Sequence, residues 1–141
     1  MSIHKKFLSP IIQALLWFFI YVIFSLVDNS HYLFGWIIHN KVFYIAVPLI
    51  AVLITFLQKN IGYSITLGNI CGLFLGRFMG DYIRNQSMLK ITEDMSAQKK
   101  YELSKHYGVF IWIECILASI IISLIIELIK KIIKKIRRNV S

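Results

Sequence analysis

Two ionisable side chains stand inside otherwise apolar stretches, Arg77 and Glu114. A lone charge in hydrocarbon is costly, so such residues pair, snorkel or line a pathway. Arg77 lies one turn from the polar end of its segment, and Glu114 about one and a half turns into the next, so antiparallel neighbours would hold them at one depth. The expectation is an Arg77–Glu114 pair, direct or through water, with Asp81, four residues after Arg77, as competing partner. Read as chemistry, the group is a vestibule for a cation or proton, with Glu114 as acceptor and Asn69 deeper on the same side. Read as structure, it is an ion pair that sets the register of two helices near an interface, and position near a helix end favours this second reading.

Catalysis has less to stand on. Zinc-protease, serine-hydrolase and phosphate-loop motifs are all absent, so no metal or cofactor is expected. His4, His31, His39 and His106 fall at expected interfaces, where a histidine is usually a surface residue. The arrangement best suited to an enzyme is Asp81, Arg84, His106 and Glu114 converging beneath one long loop, as would suit a phospholipid or isoprenoid headgroup. Cys71 and Cys115 sit in apolar segments outside any C-x-x-C pair and read as small buried residues.

The segments that must position these groups are long and greasy. With 141 residues, 57% of them hydrophobic, and a mean hydropathy of +0.68, the chain reads as a single membrane domain. A span needs roughly 20 apolar residues to cross about 30 Å of hydrocarbon. Four such stretches are expected, over 7–27, 42–57, 61–80 and 109–129. The fold class is therefore an all-α bundle of about four transmembrane helices.

In the first stretch Pro10 is expected in the first turn, where its missing N–H matters least. No small-residue cleavage pattern follows, so the stretch reads as a retained helix rather than a targeting segment. The connection Asp28 to Lys41 carries His31, Tyr32, Trp36 and His39, the composition of a segment lying among headgroups. The second stretch is short and has Pro48 near its middle, and a Gln58-Lys59-Asn60 turn leads to the third. Residues 81–107 form the polar loop, expected to hold one or two short amphipathic helices, with Ser96 as N-cap and Gly108 as a terminal stop.

The third stretch repeats small residues at every fourth position, Ser64, Gly68, Gly72, Gly76 and Gly80. Residues four apart share a helix face, and small side chains let another backbone approach. The fourth stretch has a shorter row, Cys115, Ser119 and Ser123. The two rows are expected to face one another, with a row-to-row dimer as the alternative. Within the third stretch, Thr66 to Gly76 loosely resembles the Asn-x-x-Gly-x-Phe portion of the small four-helix fluoride channels at Asn69, Gly72 and Phe74. Their first helix carries Gly and Arg; the first stretch here has neither, so the resemblance brings no function with it.

The formal charge of +9 is concentrated after the last apolar run, in Lys130, Lys131, Lys134, Lys135, Arg137 and Arg138. A basic amphipathic tail in that place suits anionic inner-leaflet lipid better than nucleic acid. Orientation follows from Lys and Arg flanking the spans. The side of the termini has Lys5, Lys6, Lys59 and those six; the other has Lys41, Arg84, Lys90, Lys99, Lys100 and Lys105. Both termini are therefore expected in the cytoplasm of a multi-pass protein. The leading functional expectation is a non-enzymatic accessory or modulatory, immunity-type, subunit that works by helix packing with another membrane protein or with itself. The alternatives are a small oligomeric transporter or channel with Arg77 and Glu114 at its entrance, and a holin-like permeabilising protein.

Overall fold

The computed structural model describes residues 3–27 and 32–140, and side chains within 7–23, 25–26, 32–40, 42–43 and 45–138. Residues 28–31 of the first connection, the histidines at 4 and 31, and the charges of Lys5, Lys6 and Lys41 lie outside them. The described chain is all-helical, 90% helix without strands. Its elements are α1 (Ile3–Val27), α2 (Tyr32–His39), α3 (Lys41–Leu57), α4 (Lys59–Met88), α5 (Ala97–Ser104) and α6 (Gly108–Val140).

Side-chain contacts fix the topology. Ser9 meets Tyr63, and Gln13 meets Thr66, so α1 runs parallel to α4. Asn60 reaches Glu127 and Asn69 reaches Trp112, so α4 and α6 are antiparallel. Phe7 packs on Phe56 across α1 and α3. One end of the bundle holds the α3–α4 link; the other holds α2, the end of α4, α5 and the start of α6.

Among the described residues one helix, Gly108–Arg138, is long and apolar enough to cross a membrane by length and composition, with a mean hydropathy of 2.7. Phe7–Ile23 and Ile45–Leu57 are shorter apolar stretches. α4 falls below that mark because its glycines, Asn69 and Arg77 lower the mean hydropathy of its apolar stretch.

Several local expectations are corrected. α1 begins at Ile3, so Pro10 lies in its interior rather than its first turn. The connection before α3 contains a true helix: Leu33, Phe34 and Ile37, spaced as one helical face, are buried. The turn after α3 is Gln58 alone, extended at φ −142° and ψ 94°, and Lys59 and Asn60 already belong to α4. α4 continues two turns past Gly80 to Met88. Gly108 opens α6 rather than closing a surface helix. Ser96 does cap α5, its hydroxyl accepting from the Lys99 N–H at 3.4 Å, but α5 buries no residue.

The core is a stack of aromatic and polar groups. Trp17, Phe34, Ile37, Leu73 and Trp112 are fully buried, as are Gln13 and Asn69. Gln13 Nε2 donates to the Gly62 carbonyl at 2.6 Å and to Thr66 Oγ1 at 2.7 Å, and Trp17 Nε1 donates to the same hydroxyl at 2.9 Å. Thr66 therefore ties α1 to α4 as a double acceptor. Thr66→Val keeps the shape and removes the acceptor, and should lower unfolding stability by about 1 kcal/mol, the scale of an interhelical hydrogen bond. An unchanged unfolding midpoint in detergent would show that these bonds contribute nothing net.

Outside that core the molecule is apolar and open. Its accessible surface is 10203 Å², against about 7,500 Å² for a compact soluble chain of the same mass. Exposed Leu, Ile and Phe side chains cover the outer faces of α1, α3 and α6.

Candidate functional site

The α4–α6 seam comes first, because it positions everything at its upper end. A Cβ added at Gly68 would meet the Cys115 carbonyl at 2.9 Å; at Gly72, the Trp112 carbonyl at 2.8 Å; at Gly76, the Gly108 carbonyl at 2.5 Å. Each glycine is thus the spot where the α6 backbone rests on α4. Ser119 Oγ donates to the Ser64 carbonyl at 2.8 Å, and Ser123 is buried farther down. Trp112 Nε1 donates to Asn69 Oδ1 at 2.9 Å, closing the seam with a buried polar bond.

The upper end of the seam carries the chemistry. Gly80 and Gly108 leave room there for the His106 ring, whose Cε1 lies 2.5 Å from where a Gly80 Cβ would sit. His106 Nδ1 accepts the Gly108 N–H at 3.0 Å, so that nitrogen carries no proton in this arrangement. The proton is then on Nε2, which donates to Asp81 Oδ1 at 3.0 Å. Tyr32 of α2 lies over the imidazole with ring centroids 4.4 Å apart. The histidine side chain is only 3% exposed, while that of Asp81 is 43% exposed. Beside it, a cavity of about 180 Å³ is lined by Tyr32, Arg84, Tyr101, Ser104, Lys105 and His106.

The expected Arg77–Glu114 pair is not formed among the described residues. Helix azimuth explains it: a helix turns about 100° per residue, so Glu114, two residues past the buried Trp112, points about 200° away from α4. Glu114 is exposed. Arg77, about 100° round from Gly76, is half-buried with its guanidinium 5.3 Å from the Phe78 ring. Asp81 goes to His106 instead. Of the four residues expected beneath the loop, Asp81, Arg84 and His106 gather at this end, and Glu114 does not. Tyr32, Tyr101, Ser104 and Lys105 were not anticipated there. The signal for Lys105 was its place next to His106, two residues before a helix-opening glycine.

Elsewhere, the Asp94 carboxyl in the loop is held below its ordinary value, first by the Thr92 hydroxyl and then by its own backbone N–H. Among the described residues, no three His, Cys, Asp or Glu side chains gather closely enough to hold a metal. Cys71 is exposed and Cys115 half-buried, both as free thiols. In the tail, Lys130, Lys131, Lys134, Lys135, Arg137 and Arg138 are all exposed on the continuing α6 helix, and four of them flank a shallow groove with Ile133. Comparison with known protein families, with curated proteins and with solved structures finds no match to this chain.

Proposed function

We propose that this chain is a multi-pass membrane protein that acts without catalysis, through helix packing, as an accessory or modulatory subunit of a membrane complex. The observation that carries the reading is the unburied apolar surface. In the most apolar stretch of α6 only 11% of residues are buried, and the outer faces of α1 and α3 are open as well. A soluble monomer rarely leaves patches beyond a few hundred Å² in water, so this surface calls for lipid or protein. α1, α3, α4 and α6 are the four spans, with α4 the most buried of them although its Leu67, Phe74, Leu75, Phe78 and Met79 are exposed. The basic tail then meets anionic headgroups on the side of the termini.

A pathway through one chain is not favoured. Asn69 is sealed with its carbonyl held by Trp112, and Glu114 faces outward from the far side of α6. Asn69 and Glu114 therefore do not line one route.

Labelling tests the spans. With Cys71 and Cys115 changed to Ser, single cysteines at Asn60 and Ser96 should react with a membrane-impermeant maleimide from opposite sides of a sealed vesicle. Reaction of both from one side, or release of the chain by alkaline carbonate, would end the four-span reading. The subunit role predicts one companion of fixed stoichiometry after mild detergent extraction, and no ion flux from the chain reconstituted alone. Flux that Glu114→Gln abolishes would put a channel in its place.

A further inference from the structure

We propose that the cavity between α2, the end of α4 and the residues closing α5 binds a phosphate group. Two cationic residues line it from separate elements, Arg84 of α4 and Lys105 just after α5, whose ammonium lies 5.6 Å from the Phe110 ring, and none of its six lining residues carries a carboxylate. Like charges brought to one cavity repel, and a bound anion turns that repulsion into attraction. The guanidinium, the ammonium and the phenols of Tyr32 and Tyr101 are donors suited to phosphate oxygens. The Ser104 hydroxyl proton is already committed to the Tyr101 carbonyl at 2.8 Å.

The wall behind these donors is rigid. Both nitrogens of His106 are engaged, Nε2 with Asp81 and Nδ1 with the Gly108 N–H, and Tyr32 lies on its face, so the ring cannot turn without breaking three contacts. Asp81 is not in the lining: its carboxylate stands behind the imidazole, bonded to Nε2. A volume of about 180 Å³ leaves room for one phosphate and the atoms attached to it. The ligand class is accordingly a phosphate group, supplied by a phospholipid headgroup or by a small soluble phosphate. The lipid source rests on the membrane reading above; the soluble source does not.

The tail would also attract anionic lipid, so the test uses the full chain with Lys130, Lys131, Lys134, Lys135, Arg137 and Arg138 changed to Gln. Two probes are applied in a zwitterionic detergent: phosphatidylglycerol, counted by native mass spectrometry, and inorganic phosphate, followed by thermal protection. Binding should weaken about tenfold or more in Arg84→Gln/Lys105→Gln, the size expected for losing charge-assisted bonds, and return largely in Arg84→Lys/Lys105→Arg. Retained lipid that inorganic phosphate does not displace assigns the site to a headgroup. Phosphate protection without retained lipid assigns it to a soluble phosphate, and stands even if the membrane reading fails. Neither probe binding, or both binding equally well to the Gln pair at unchanged helix content, would overturn the proposal.

Discussion

Gly72→Leu and Gly76→Leu should each remove roughly 3 kcal/mol or more of unfolding stability, the upper range of overpacking, while Gly35→Ala should leave it unchanged or raise it by up to about 1 kcal/mol. The contrast isolates the seam. At Gly72 and Gly76 the atoms an added Cβ meets are carbonyl oxygens of Trp112 and Gly108, at 2.8 and 2.5 Å. Backbone cannot swing aside as a side chain does, so α6 as a whole must lift away. Lifting it also stretches the Trp112–Asn69 bond and strands a fully buried amide. At Gly35 nothing lies within 4 Å, and the substitution only replaces a poor helix former with the best one. The measurement is reversible unfolding in mixed micelles, followed by helix content. Equal midpoints for the Gly35 and Gly72 variants would mean that α4 and α6 do not meet along this row.

His106→Ala should cost about 2 to 3 kcal/mol, the second largest effect. The Gly108 N–H would be left buried without an acceptor, the bond to Asp81 would go, and Tyr32 would lose its stacking partner. Asparagine separates these contributions. His106→Asn offers an amide oxygen close to the place of Nδ1, so it keeps the acceptor for Gly108 and gives up Asp81; about half of the lost stability should return. Asp81→Asn retains an oxygen for the Nε2 proton and should cost less than about 1 kcal/mol. The readout is the same unfolding midpoint, joined to hydrogen exchange at Gly108. Should His106→Ala match the parent in both, the imidazole has no part in joining the loop to the bundle.

Much of this architecture was legible in residue order, and the losses have identifiable causes. Helical class followed from apolar runs too long for a strand. The every-fourth-residue row from Ser64 to Gly80 announced one smooth face, and in the fold that face carries α6. What did not read through was the end of α4. Gly80 resembles a helix stop, but the residues after it, from Asp81 to Met88, have ordinary helix propensity and nothing forces a break, while the glycine is needed as clearance for His106. α2 was hidden for a different reason: eight residues give little periodicity to detect, and aromatic content suggested a flat headgroup segment. Arg77 and Glu114 were matched by depth along their helices, whereas a contact also requires azimuth. Two residues beyond Trp112 is enough to turn Glu114 outward. The cavity near Arg84 was half visible, because its second cation comes from a segment whose path depends on where α5 ends.

The joint at Gln58 determines how this molecule is able to move. With one extended residue between them, α3 and α4 have no slack and must shift as a single hairpin, braced where Gly62 seats against Thr55 and Ala51. α6 is tethered far more loosely, through the nineteen residues 89–107 that include α5, and it rests on a row with almost no side-chain relief. Sliding of α6 along the hairpin would break the Trp112–Asn69, Ser119–Ser64 and Asn60–Glu127 bonds together, so the seam itself, and not the long connection, holds the register of α6.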